Sequence, residues 1–118
     1  MSGPSFSFPR EWVIKKPDAF KSLRREGLRL RGELITIFHR STGDRAFRVG
    51  FSTRKKLAGA VGRNRARRLM REVIRLHQHE IRKDVELLLI WQGPVGKKGF
   101  SDAEQEIMEL LRRGGLLA

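Results

Sequence analysis

Residues 62–76 read GRNRARRLMREVIRL. Six of the fifteen are arginine, yet Ala66, Leu69, Met70 and Val73 recur among them at helical spacing. At about 100° per residue, these four and His77 fall within an arc of about 100°, a core-facing stripe. Asn64, Arg67, Arg68, Arg71 and Arg75 fall on nearly the opposite side, and Arg63 and Arg65 flank its edges. The segment therefore specifies a helix held by one face and cationic on the other. Like charges at i,i+4, such as Arg63, Arg67 and Arg71, disfavour an isolated helix by roughly 0.2–0.5 kcal/mol each. Burial of the stripe has to offset that cost, and bound anions would remove it.

The charge is concentrated here. Residues 54–75 hold nine basic residues against Glu72 alone, a net +8 of the chain's +13. A solvated helix face normally mixes signs; this one barely does, and it favours a polyanionic partner. Nucleic acid stands first, while an acidic membrane surface or an acidic protein meets the same requirement. Of the 26 basic residues 18 are arginine, which forks onto phosphates and stacks on bases as lysine does not. Asn64 brings a neutral amide that reads a base edge or a ribose hydroxyl, or else bonds locally.

The chain has 118 residues, 39% of them hydrophobic. That is enough for one folded domain, residues 1–118, rather than a disordered polycation. Cysteine is absent, which excludes disulfides and thiolate metal sites and suits a reducing compartment. The longest apolar run, Leu87 to Trp91, is too short to span a bilayer. No basic segment followed by an apolar one opens the chain. A cytoplasmic protein with no membrane association is the expectation.

An α-β-β-α-β-α order follows from the local signals. Residues 1–16 read as an extended segment in which Phe6, Phe8, Trp12 and Ile14 alternate and lie against the body. Pro17 to Glu26 is a helix, with proline in its first turn and Gly27 as its stop. Leu34 to Arg40 reads as a strand and Ser41 to Asp44 as a turn. Phe47 to Phe51 alternates as its hairpin partner, with Arg48, Gly50 and Ser52 on the other face. The long helix runs from about Ala60 to Arg82. Val85 to Trp91 is a central, buried strand. Ser101 with Glu104 forms a capping box for the last helix, closed by Gly114-Gly115. The fold class is α+β, a single small domain with a central mixed sheet packed by helices.

No catalytic constellation and no metal site emerges. His77 and His79 point in nearly opposite directions on a helix and do not share an ion; His39 is isolated in a strand. Asp102, Glu104, Glu106 and Glu109 crowd the last helix, where the helix dipole accounts for most of them. Trp12 and Trp91 read as core or rim.

The run Arg63-Asn64-Arg65-Ala66-Arg67-Arg68-Leu69-Met70-Arg71-Glu72 resembles the RNR signature of the bacterial ribonuclease P protein subunit, R-N-R-x-(K/R)-R-x-x-R-(E/Q). Upstream and ungapped, Arg48-Val49-Gly50-Phe51-Ser52, Lys55-Lys56 and Ala60-Val61 are similar to that family's R-(V/I)-G-(L/I)-S, K-K and A-V. Phe8-Pro9-Arg10 and Phe20 match its N-terminal pattern, so the resemblance spans about residues 8 to 113.

The resemblance implies a protein that pairs with a large catalytic RNA to cleave the 5′ leader from precursor tRNA, needing no protein partner. Mg²⁺ would be held chiefly by RNA and substrate. It further implies a left-handed βαβ crossover, against the usual hand. Arg63, Asn64, Arg65, Arg67, Arg68 and Arg71 would form the RNA-binding face, and Arg54, Lys55 and Lys56 would hold backbone phosphates. Phe20, Phe38 and Ser52 would line a cleft for the single-stranded leader. A one-residue slip of the first strand would put Phe38 on the wrong face. Two positions depart from the family: Arg24 replaces a second aromatic, and Trp91-Gln92-Gly93 replaces a basic pair, for which Lys97-Lys98 would substitute. A structural RNA-binding protein or a DNA-binding protein shares the basic helix but needs no leader cleft.

Overall fold

The structure, a computed structural model, describes residues 8–43, 47–56 and 59–118. Phe6, of the N-terminal alternation, and Asp44, of the expected turn, lie outside the described residues. The elements in order are α1 (Pro17–Glu26), β1 (Leu28–Arg31), β2 (Ile35–Ser41), β3 (Arg48–Thr53), α2 (Ala60–His77), β4 (Val85–Trp91) and α3 (Phe100–Arg113). The expected α+β order is present with one further strand, β1. Gly27 makes β1 possible directly after α1. Its N–H closes the helix on Leu23 O at 2.8 Å, and a Cβ there would stand 2.6 Å from that same carbonyl oxygen.

The four strands form one mixed sheet in the order β1-β2-β4-β3. β4 is antiparallel to β2 and parallel to β3. The hairpin expected between the second and third strands is therefore not formed. β2 and β3 do run in opposite directions, but β4 lies between them. Its side chains explain the insertion. Leu87, Leu89 and Trp91 pack into the main core, while Leu88 packs into a second cluster that Ile90 borders. A strand apolar on both faces is satisfied only with a neighbour on each edge and cover on each side.

The main core lies between the sheet and the pair α2 and α3. Ala66, Met70, Val73 and Ile74 of α2 and Ala103, Ile107 and Leu111 of α3 are all fully buried there. Leu69 is only half-buried, and Ile74 extends the stripe. The opposite sheet face carries the smaller cluster of Ile14, Leu23 and Leu88, covered by α1. Residues 8–14 lie against the sheet as expected, but Arg10–Trp12 form a short 3-10 turn rather than extended chain. Ile14 N–H bonds Val49 O at 2.9 Å, and the Trp12 ring meets Phe47 edge-on with centroids 5.2 Å apart.

The long helix stops at His77, short of the expected Arg82, and continues as a 3-10 turn over Gln78–Glu80. Side chains capture the carbonyls at this end. Gln78 Nε2 donates to Arg75 O at 2.8 Å, and Lys83 Nζ donates to Ile81 O at 2.7 Å and to Gln78 O. Ile81, almost fully buried, then pairs with Leu117.

The acids of α3 have more specific work than the helix dipole provides. Glu106 Oε2 accepts the N–H groups of Leu34 and Ile35 at 2.7 and 2.6 Å, pinning the β1–β2 turn to the helix. Asp102 accepts the N–H of Gly99 at 2.9 Å, so the cap sits two residues before the expected Ser101–Glu104 box. Glu104 is 2.7 Å from His77 Nε2, and Glu80 is 2.7 Å from His77 Nδ1. His77 thus joins α2 to α3 rather than simply bordering the core.

Burial on its own would lower the His77 imidazole below its ordinary 6.5, but hydrogen bonds and charge from Glu104 and Glu80 outweigh that and raise it. The folded protein therefore holds this proton more tightly than the unfolded chain does. The stabilisation is complete below about pH 6.5 and fades as pH rises through the elevated folded-state value. His77→Gln is expected to cost about 1 kcal/mol near pH 5.5, discounted for partial exposure, and clearly less near pH 9. Urea unfolding of both proteins at the two pH values measures this; equal costs at both would show that the imidazolium is not the tie.

Candidate nucleic-acid interface

α2 has Gly59 as its N-cap and no acid in its first turn. Packing of Ala66, Met70, Val73 and Ile74 against the sheet directs the rest of the helix surface outward. Asn64, Arg68 and Arg71 are exposed; Arg63, Arg65 and Arg67 are half-buried. Local contacts orient several of these guanidinium groups. Arg65 donates to Gly96 O at 3.4 Å and to Lys98 O. Arg63 donates to Lys55 O at 3.4 Å. Arg67 donates to Asn64 Oδ1 at 2.5 Å, so the amide oriented among the arginines is itself part of their network. Arg71 lies 5.4 Å from the centre of the Phe8 ring. Among the described residues, no carboxylate pairs with Arg65, Arg67, Arg68 or Arg71. Arg75 is the exception: it bonds Glu72 at 2.6 Å and marks the lower limit of the cationic strip.

The second set of residues meets on the other face of the sheet. The register pairs Arg29 with Phe38 and Arg31 with Thr36, and Phe38 with Leu88 and Thr36 with Ile90. Strand alternation puts all of these on the α1 side, together with Gly50 and Ser52 of β3. Phe38 therefore faces α1, away from the main core. Phe20 of α1 packs with it over the smaller cluster. Gly50 makes room for that ring, since a Cβ at residue 50 would stand 2.5 Å from Phe20 Cε1.

α1 covers only part of this face. Two hollows remain, of about 390 and 330 Å³. Arg24, Arg54 and Ile90 border both, so the two adjoin along one cleft. Ser52, Thr53 and Lys55 line one end, and Arg29, Arg31, Thr36, Phe38 and Gln92 line the other. Arg24, at the position that departs from the family pattern, borders both hollows. Gln92 is tied into the floor, accepting from Thr36 Oγ1 at 2.7 Å and donating to Gly32 O at 3.0 Å. Lys98, of the pair expected to substitute for the basic residues, lines a hollow of mixed charge beside α3, which Arg31 also borders. Arg54, Lys55 and Lys56 are exposed at the end of β3 and join the cleft to the α2 face.

Arg29 and Arg31 are absent from the sequence-based expectation because β1 itself is. The alternation Leu28-Arg29-Leu30-Arg31 is the available signal; four residues are a short run next to a helix stop. His39 is buried in β2, and burial lowers its pKa. Among the described residues no group of three or more His, Asp or Glu side chains is placed to hold a metal ion, and no helix is long and apolar enough to cross a membrane.

The chain matches the family model described as Ribonuclease P over residues 8–115. It is 41% identical over 85 residues to the ribonuclease P protein component of Dictyoglomus thermophilum, covering 72% of this chain and 71% of that one. It is 31% identical over 114 residues to the corresponding protein of Dictyoglomus turgidum, covering 95% and 96%. The fold is similar to the RNase P protein of Staphylococcus aureus, with a TM-score of 0.81 at 22% identity over 91% of this chain and 98% of that one. For the RNase P protein of Thermotoga maritima the TM-score is 0.77 at 23% identity, over 86% and 96%.

A polyanion on the α2 face is expected to release counterions as the arginines replace them. Arg68→Ala and Arg71→Ala should each weaken binding to a structured RNA. Each should reduce the slope of log K against log salt by roughly one unit for every phosphate it leaves unneutralised. Titrations across a salt series measure this, and an unchanged slope in the double variant would remove α2 from the interface.

Proposed function

We infer the function from one premise: this chain belongs to the ribonuclease P protein family. It serves as the protein component of a ribonucleoprotein endoribonuclease, binding a catalytic RNA subunit and promoting 5′ maturation of precursor tRNA. The observation that carries this reading is the presence of two cationic surfaces of different character, joined by the loop 54–56. One is convex, an arginine helix with an amide in its midst. The other is a cleft with an aromatic and aliphatic floor, the form that an unpaired strand requires.

On this reading Arg63, Asn64, Arg65, Arg67, Arg68 and Arg71 bind the catalytic RNA, and Arg54, Lys55 and Lys56 hold phosphates where the surfaces meet. Phe20, Phe38 and Ser52 receive the single-stranded 5′ leader. The protein's part in the mechanism is affinity and placement. Holding the leader in the cleft fixes the precursor relative to the RNA, so binding energy from outside the reacting bond orients it. Mg²⁺ ions held chiefly by RNA and substrate supply the hydrolytic chemistry, and no residue of this chain is assigned to bond breaking.

With the protein bound to its RNA, precursor tRNA is expected to bind more tightly than mature tRNA, and cleavage at low Mg²⁺ to be stimulated. Equal affinity for both tRNAs with no stimulation would instead indicate a structural RNA-binding protein. Phe20→Leu retains apolar packing over Gly50 but removes the aromatic face. It should reduce the preference for precursor by about tenfold, a stacking energy of roughly 1–3 kcal/mol, while leaving assembly with the RNA intact. Arg68→Ala should do the reverse.

A further inference from the structure

The end of the cleft farthest from α2 carries cations that the leader reading does not yet use. Arg29 and Arg31 are exposed on β1, two residues apart on one face of the strand, and thus roughly 6.6 Å apart along it. Arg24 lines the same hollow. Among the described residues none of these three guanidinium groups has a carboxylate partner. They share this with Arg65, Arg67, Arg68 and Arg71 of α2, and differ from Arg40, held by Glu86 and Glu26, Arg75, held by Glu72, and Arg82, held by Asp84. β1 is also the outer strand of the sheet, so among the described residues no further strand lies beyond it. Between the arginines, Phe38 is half-buried and offers an apolar surface, while Thr36 and Gln92 bond each other at its side.

We propose that Arg29, Arg31 and Arg24 form an upstream subsite for single-stranded RNA, which extends the leader's path along the sheet face to its β1 edge. The inference rests on the leader reading above and deepens it. The strand enters beside Ser52 and Lys55, the end nearest the α2 face, because Arg63 reaches Lys55 O there. It passes Arg24 and Arg54, which border both hollows, and reaches β1 with nucleotides farther from the cleavage site. Alternate arginines on a strand face an extended backbone at successive phosphates. Arg24, in place of an aromatic, contributes a planar cation that takes a phosphate or stacks on a base. The subsite recognises backbone more than sequence, and it adds to the salt dependence of leader affinity.

The test uses the protein–RNA complex and precursor tRNAs whose leaders are shortened one nucleotide at a time from the 5′ end. For the unaltered protein, affinity should rise with leader length in two stages, the second appearing only when the leader is long enough to reach β1. The Arg29→Ala/Arg31→Ala double variant should lose the second stage, about a tenfold loss for long leaders, and keep the first. Arg29→Lys/Arg31→Lys should retain most of it if the contacts are to phosphate. A loss of similar size for the shortest and longest leaders, or no loss at any length, would overturn the subsite while leaving the precursor preference of the unaltered protein in place. If the unaltered protein shows no dependence on leader length at all, both the subsite and the leader reading fail.

Discussion

Burial of β4 on both faces is the constraint from which the rest follows. Leu87, Leu88 and Leu89 are completely buried, with alternate residues entering different clusters. A strand of that kind has to sit inside the sheet, so β2 and β3 are forced to its two edges. It also needs cover on both sides, and the chain supplies unequal cover. α2 and α3 close one side fully, whereas α1, only ten residues long, closes part of the other. The cleft is what α1 leaves open, with Ile90 and Phe38 only half-buried.

Charge is sorted by the same architecture. The acids are largely engaged in holding the fold. Glu106 pins the β1–β2 turn, Glu104 and Glu80 bind His77, Glu86 and Glu26 hold Arg40, and Asp84 holds Arg82. They are therefore kept away from the outward strip of α2 and from the cleft. A net charge of +13 does not by itself make an interface; segregation does, because it leaves two surfaces in which cations outnumber acids. Local bonds between the arginines and carbonyl oxygens, or Asn64, orient the forks without cancelling their charge.

Several features were legible in the residue order because they depend on neighbours close in the chain. α1 begins with Pro17 and stops before Gly27, β4 spans the apolar run, and the stripe of α2 follows from 3.6-residue periodicity. The motif Arg63-Asn64-Arg65 and its flanks identified the family on their own. Strand adjacency was not legible. The turn after β2 signals a reversal of direction, but a reversal does not say whether the returning strand pairs with its predecessor. β4, more than thirty residues later, takes that place, because its two apolar faces outweigh the loop-closure cost, which grows only slowly with length.

The sequence by itself determined that a helix would be anchored on one side and cationic on the other, and to which family that helix belongs, since both are properties of short-range spacing. Only the tertiary structure decided which face Phe38 occupies, that Gly50 makes room for the Phe20 ring, and that Arg24, Arg29, Arg31 and Arg54 converge on one cleft. Those residues come from three strands or strand ends and a helix. What brings them together is the pairing register around β4, a long-range packing result with no local signature.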